Sequence, residues 1–226
     1  MIEFKNITKE YGSVKALDKV DFTIKKGEFV FIVGPSGAGK STIVKLLMRK
    51  EFPTKGEVIY EDIPVAKLKD RYLPLLRQEI GVVFQDSKLI NTKTVYENVA
   101  FGLEVLRFSE KEILEKVKEV LELVGLWDVR DHFPQQLSGG EMQRVAIARS
   151  IASTPKVFVA DEPTGNIDPA LTDSLFKIFD KINKKGITVL VATHDKDEVN
   201  KMKKRVIALD KGKLVRDEKK GKYATS

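Results

Sequence analysis

Runs of consecutive apolar residues stand out from a chain that otherwise alternates. Phe29-Val30-Phe31-Ile32-Val33, Val157-Phe158-Val159-Ala160 and Ile187-Thr188-Val189-Leu190-Val191-Ala192 each run four to six residues between turn signals. Such runs predict strands buried on both faces. Residues 2–7 and 20–24 instead alternate apolar and polar positions, as half-buried strands do. Glu57-Val58-Ile59-Tyr60 and Ile80-Gly81-Val82-Val83-Phe84 predict two further short strands, the second ending at Gln85. From about Asp86 the period becomes helical. Ser109 and Glu112 have capping-box spacing, and Ile113, Val117, Val120, Leu121 and Val124 form one stripe that Gly125 ends. Another helix is predicted over 138–152. Asp168-Pro169 is a cap with a first-turn proline, ahead of Leu171, Leu175, Ile178, Phe179 and Ile182 on one face. Residues 206–209 and 213–215 read as a closing hairpin around Asp210-Lys211-Gly212. The pattern therefore predicts an α/β core interrupted by a helical insert at about 86–153.

Composition narrows the class. The 226 residues suit one domain, and 42% hydrophobic with 32% charged residues is ordinary for a globular chain. No apolar run approaches the roughly 18 residues of a membrane span. Met1-Ile2-Glu3-Phe4-Lys5 alternates like a strand rather than a signal peptide. With no cysteine there is neither a disulfide framework nor a thiolate metal site, which suits a cytosolic setting. The net charge of +7 is spread among interspersed acids and lysines, as on a solvated surface. The exceptions are Lys201-Met202-Lys203-Lys204-Arg205 and Lys219-Lys220-Gly221-Lys222, which are candidates for contact with anionic lipid.

Candidate chemistry begins where the first apolar run ends. Gly34-Pro35-Ser36-Gly37-Ala38-Gly39-Lys40-Ser41-Thr42 lies between a predicted strand and a predicted helix and fits G-x-x-x-x-G-K-[ST]. Small residues let successive N–H groups curl around a phosphate, and the helix N-terminus adds positive charge. Lys40 is expected on the β- and γ-phosphates, and the Ser41 hydroxyl on Mg²⁺. Asp161 at a strand end is expected to hold the same ion, with Glu162 polarising the attacking water. In Leu137-Ser138-Gly139-Gly140-Glu141-Met142-Gln143-Arg144, a capping box accounts for Ser138 and Glu141. It does not account for Gly139-Gly140, which weaken a helix but expose N–H groups to an anion.

Together these stretches resemble the ATP-binding-cassette ATPases, the nucleotide-binding domains of ABC transporters, over nearly the whole chain. The resemblance implies a phosphate-loop NTPase of the ABC type: a RecA-like core with an N-terminal antiparallel β subdomain and an inserted α-helical subdomain. It implies a single domain over 1–226, with the ATP-binding core in 1–85 and 154–226 and the helical signature subdomain in 86–153. ATP and Mg²⁺ are the implied cofactors. Glu162, His194 and Gln85 take catalytic positions. Tyr11 stacks on adenine, and Gly34, Pro35, Ser36, Gly37, Ala38, Gly39, Lys40, Ser41 and Thr42 bind the phosphates. Ser41, Gln85 and Asp161 hold the metal. Ser138, Gly139, Gly140, Glu141 and Asp168 act in trans, on ATP held by a second copy.

Lacking a membrane span, a cassette of this kind is expected at the inner face of a membrane, on an integral membrane partner. Ala160-Asp161-Glu162-Pro163-Thr164-Gly165-Asn166-Ile167-Asp168 resembles the branch serving cell division, lipoprotein release and macrolide export. Phe84-Gln85-Asp86, Thr94-Val95-Tyr96-Glu97-Asn98-Val99-Ala100 and Phe133-Pro134-Gln135-Gln136-Leu137 favour the cell-division members. Ile167 stands where Leu is usual and Met142 where Gln is common; neither removes a catalytic group. The rival class is an ABC ATPase acting on nucleic acid or ribosomes. One cassette with a short helical insert argues against it, and no nucleic acid is expected.

Overall fold

The computed structural model describes residues 1–165 and 169–223, with the side chains of 169–171 left aside. Strands β1 (Ile2–Tyr11) and β2 (Val14–Ile24) form a hairpin, and β3 (Phe29–Val33) leads into helix α1 (Lys40–Leu47). Next come β4 (Lys55–Tyr60), the two-residue β5 (Ile63–Pro64), α2 (Leu73–Gln78) and β6 (Ile80–Phe84). Helices α3 (Val95–Val105), α4 (Glu110–Val124) and α5 (Gly139–Ile151) follow without an intervening strand. The chain then runs through β7 (Val157–Asp161), α6 (Pro169–Lys184), β8 (Thr188–Thr193), α7 (Lys196–Met202), β9 (Arg205–Asp210) and β10 (Lys213–Glu218).

Two sheets result. One is antiparallel, in the order β2-β1-β4-β5; the other runs β10-β9-β3-β8-β7-β6 and is parallel except at β10. The apolar runs occupy the middle of the second sheet because both of its faces are covered. Phe29, Phe31 and Val33 face a core shared with α3 to α6, whereas Val30 and Ile32 face α1 and the antiparallel sheet. The same alternation holds for Phe158 against Val159 and for Val189 against Leu190. Ordering five strands in parallel brings the ends of β3, β6, β7 and β8 to one edge, where ligands bind in such sheets.

Local signals place the helices. Ser109 and Glu112 cap α4 reciprocally, Gly125 ends it at φ 71°, and its predicted apolar stripe is buried. The expected helix over 138–152 is α5, capped by Ser138. The structure differs at β2, which reaches back to Val14 although residues 14–19 do not alternate. Pairing with β1 through register shifts carries that stretch. The basic run 201–205 is largely neutralised: Lys201 pairs with Asp173, Lys204 with Asp180 at 2.8 Å, and Arg205 with Glu28 and Asp217.

Candidate functional site

The glycine loop is held open by its neighbours. Gly34 has φ 152°, and a Cβ there would stand 2.2 Å from the Leu209 carbonyl oxygen. At Gly39, φ 106°, a Cβ would stand 2.6 Å from both Ala16 O and Leu17 Cδ2. Glycine is thus required by close approach at both ends of the loop. Gly39 is also the cap of α1. It offers no side chain to the first turn, which carries no acidic residue. The first N–H groups of α1 therefore point at the loop's interior without a competing carboxylate. Ala38 is buried; its N–H donates to Pro35 O at 3.1 Å and its carbonyl accepts from Gly212 at 3.2 Å.

Lys40 folds back into this loop. Its ammonium donates to Gly34 O at 2.8 Å and Pro35 O at 3.1 Å, and lies 3.1 Å from Glu162 Oε1. The side chain is only 6% exposed, so its charge is compensated by those carbonyls and one carboxylate. Ser41 follows, with its hydroxyl donating to Asp161 Oδ1 at 3.0 Å. Burial pushes the Asp161 carboxyl above its ordinary range, and the Ser41 bond only partly opposes this. A hydroxyl and a carboxylate at that separation are hard oxygen donors, and Gln85 lines the same cavity as Ser41. They fit a Mg²⁺ ion held jointly with substrate phosphates rather than in an all-protein cage.

Glu162 links the loop to the next strand end. It adopts φ 49°, a strained conformation for a side-chain-bearing residue, and its N–H donates to Ala192 O at 2.8 Å. The carboxylate then bridges two groups: Oε1 to Lys40, and Oε2 to His194 Nδ1 at 2.6 Å. His194 follows β8 and remains 65% exposed. The next residue, Asp195, caps α7 through Glu198 N–H at 3.1 Å.

A cavity of about 430 Å³ is lined by Ser36, Gly37, Gly39, Lys40, Ser41 and Thr42, with Gln85 just after β6, Glu162 just after β7 and Ala16 from β2. Gln85 lies tight against Gly165, where a Cβ would stand 2.5 Å from its Nε2. Ala16 was not singled out in the sequence, and an alanine in an unpatterned stretch gives no signal. Tyr11 does not line this cavity. It ends β1 at 37% exposure with the Lys9 ammonium 4.6 Å from its ring centroid, on the hairpin whose other strand supplies Ala16.

The signature residues lie elsewhere. None of Ser138, Gly139, Gly140 and Glu141 lines the cavity of their own chain. They form the start of α5, where Ser138 N–H and Oγ donate to Glu141 Oε2 at 2.9 and 2.8 Å. Those bonds hold the Glu141 carboxyl below its ordinary range. Asp168 lies outside the described residues.

Two residues that the sequence reading gave no role tie this helix to the Gln85 loop, and a third, on α3, orders the segment that follows it. Gln143, 3% exposed, donates to Phe84 O at 3.1 Å. Arg149 donates to the carbonyls of Ser87 and Lys88 at 3.0 and 3.1 Å. Asn98 is fully buried, accepting from Ile90 N–H and donating to Ile90, Lys93 and Thr94 carbonyls. The available signal was an amide on an otherwise apolar helical face, which must find buried partners.

Known proteins share these features. A family model described as ABC transporter matches residues 17–165. The chain is 52% identical to the cell division ATP-binding protein FtsE of Bacillus subtilis, over 100% of this chain and 99% of that one. It is 50% identical to FtsE of Mycobacterium tuberculosis, over 99% and 98% of the two chains. FtsE of Escherichia coli is 43% identical over 95% and 97%. Among solved structures, the dimeric cassette MJ0796 bound to ADP and Pi superposes with a TM-score of 0.86 at 38% identity, covering 99% of this chain and all of that one. CbiO1 of Clostridium perfringens, part of the ABC transporter complex cbiONQ, has a TM-score of 0.90 at 31% identity over 96% and 88%.

Proposed function

The chain belongs to the ABC transporter family and is an ATPase of that type, and from that premise we propose that it drives a membrane complex of the cell-division kind, paired with an FtsX-like integral membrane protein. Relatives named FtsE that match over their whole length support this reading. No helix among the described residues is long and apolar enough to cross a membrane. The chain would therefore sit at the inner membrane face through its partner. The resemblance implies that ATP cycling there changes the partner's shape and activates cell-wall hydrolysis outside, with no solute moved.

The observation that carries the site reading is Glu162 bridging Lys40 and His194 at the mouth of the glycine loop. A triphosphate in the N–H cradle competes for Lys40, whose ammonium turns from Glu162 to the β- and γ-phosphates. Glu162 then has one oxygen free to take a proton from water, while His194 holds the other. The water oxygen bonds to the γ-phosphorus as the bond to the β-phosphate oxygen breaks, leaving ADP and phosphate. Mg²⁺, held by Ser41, Asp161 and Gln85, would supply neutralising charge to the phosphates. Tyr11 would offer its exposed ring to adenine.

One chain supplies half of this arrangement. The start of α5 does not line its own chain's cavity, so Ser138, Gly139, Gly140 and Glu141 of a second copy, with its Asp168, would complete each site in a homodimer. Likeness to a dimeric cassette supports that assembly. The partner's contact falls on a groove of about 410 Å³ between α2, α3 and α5, where Phe101 and Val105 are 42% and 66% exposed. Arg149 lines this groove and holds the Gln85 loop, so docking is mechanically connected to Gln85.

Glu162→Gln tests the chemistry. It should keep ATP binding by calorimetry, lose about 10²–10⁴-fold in turnover, and accumulate as an ATP-bound dimer on gel filtration. Wild-type turnover would remove Glu162 from its role. Affinity capture from membranes tests the partner: an FtsX-like protein is expected. A lipoprotein-release or macrolide-export permease would reassign the complex, and salt-sensitive nucleic-acid binding would overturn the membrane class.

A further inference from the structure

Helix α5 meets β6 near both ends of the strand. Near the start of β6, a Cβ on Gly81 would stand 2.1 Å from the Ser150 carbonyl oxygen, so the helix and strand backbones touch there. At the other end Gln143 Nε2 donates to Phe84 O at 3.1 Å. That carbonyl belongs to the peptide bond between Phe84 and Gln85. Phe84 in turn stands in register with Asp161 across the β6–β7 pair. Gln143 therefore fixes the strand end that delivers Gln85 beside the strand end that delivers Asp161.

Arg149 takes hold of the chain again just beyond Gln85, through the carbonyls of Ser87 and Lys88 at 3.0 and 3.1 Å. Lys88 adopts φ 46°, a conformation that a lysine keeps only where its surroundings impose it. The Gln85 side chain itself lies against Gly165, with no room for a Cβ between them. Gln85 is thus gripped before, after and along its side chain.

Apolar packing would not select these two residues. Gln143 is buried, and its amide is spent on one backbone carbonyl. Arg149 is a partly buried cation with no ion pair among the described residues, and burial pushes its guanidinium down. Both carry a desolvation cost that a hydrophobic side chain on the same helix would avoid.

We propose that Gln143 and Arg149 are positioning residues for Gln85, and that their two-point clamp makes α5 and the Gln85 loop one body. This rests on the role given above to Gln85 as a metal ligand. The clamp keeps a fixed spacing between Gln85 and the start of α5, so the helix end offered to a second copy follows the position of Gln85. Loosening the clamp leaves the phosphate cradle intact, because the loop N–H groups and Lys40 do not touch it. The loss should therefore fall on the metal and not on the nucleotide.

The test is a calorimetric titration of Mg²⁺ into the full chain loaded with a non-hydrolysable ATP analogue. The affinity for the analogue is measured first without metal. Gln143→Met keeps the length of the side chain and removes the donor. It should weaken Mg²⁺ binding about tenfold, the usual cost of losing a group that orients a metal ligand, with metal-free analogue affinity within about twofold. Arg149→Met should act in the same direction. Arg149→Lys, which can still donate to one carbonyl, should recover part of the loss. Hydrogen exchange should quicken at residues 85–88 in Gln143→Met and stay unchanged in the phosphate loop. Wild-type Mg²⁺ affinity in Gln143→Met and Arg149→Met, beside a loss in Gln85→Ala, overturns the clamp alone. So does an equal loss of metal-free analogue affinity, or Arg149→Lys as weak as Arg149→Met. Wild-type Mg²⁺ affinity in Gln85→Ala overturns instead the assignment of Gln85 to the metal.

Discussion

The two ends of the nucleotide machinery in one chain are built in opposite ways. At the glycine loop, charged groups converge and are held under tension. Lys40 is buried among carbonyls, Glu162 sits at a positive φ, and burial drives the Asp161 carboxyl upward. At the start of α5 everything is satisfied locally: Ser138 and Glu141 cap one another, and the carboxyl is drawn downward. The first corner gathers a cation and two carboxyl groups that a bound phosphate and cation would engage. The second is a helix end capped within its own first turn and outside the lining of the cavity. In the proposed homodimer a site divided in this manner would be assembled by a second copy rather than by folding alone, and the contrast can be attacked from either side.

Lys40→Ala should have the largest effect. It removes the cation that both loop carbonyls and Glu162 surround. ATP affinity measured by calorimetry should fall about a hundredfold, the worth of a buried charge-assisted contact. Unchanged affinity would mean that the loop amides alone hold the nucleotide.

A smaller but more specific effect comes from mixing two inactive chains. Ser138→Asp keeps a good helix cap but sets a negative charge where the second copy's γ-phosphate would lie. Alone it should hydrolyse ATP poorly while binding it normally. Mixed in equal amounts with Glu162→Gln, it should recover about a quarter of wild-type activity, because a two-fold symmetric dimer of unlike chains contains one intact site. No recovery would show that each chain completes its own site.

The smallest effects are in stability, and they have opposite signs. Asp161 has a raised folded pKa, so its contribution favours folding at low pH and is lost as pH rises through that value. Glu141 has a lowered one, so its contribution is present above its ordinary 4.5 and lost as pH falls through the folded value. Asp161→Asn should therefore raise the urea midpoint at about pH 7, by about 1 kcal/mol or less, and the gain should shrink toward the ordinary value of 3.8. Glu141→Gln should lower the midpoint at about pH 7 by less than that, because water screens this largely solvated carboxylate, and the loss should vanish at acid pH. Changes of the same sign would remove the distinction between the strained and the satisfied corner.

Much of this was legible along the chain because it is local. The both-face apolar runs marked β3, β7 and β8; the S-x-x-E pairs marked the starts of α4 and α5; and the glycine loop announced its own strand and helix. Residues 14–19 of β2 were not legible, since their strand comes from pairing with β1 across register shifts. Nor were Ala16, Gln143 and Asn98. A lone alanine carries no pattern, and a buried amide is distinguished from an exposed one only by what surrounds it.

By itself, then, the sequence determined which groups the protein brings to its chemistry: a phosphate cradle, a paired Asp161 and Glu162, a histidine at a strand end and a glycine-bearing helix start. Spacing within a few residues sets these, and the same spacing sets their local conformation. Only the tertiary structure decided how they are shared out. Parallel order in the six-stranded sheet brings Lys40, Asp161, Glu162 and Gln85 to one edge, although more than 120 residues separate the first from Glu162. The same order leaves Ser138 outside the lining of its own chain's cavity. Distances across a fold depend on which strands are neighbours, and the periodicity of no single stretch carries that information.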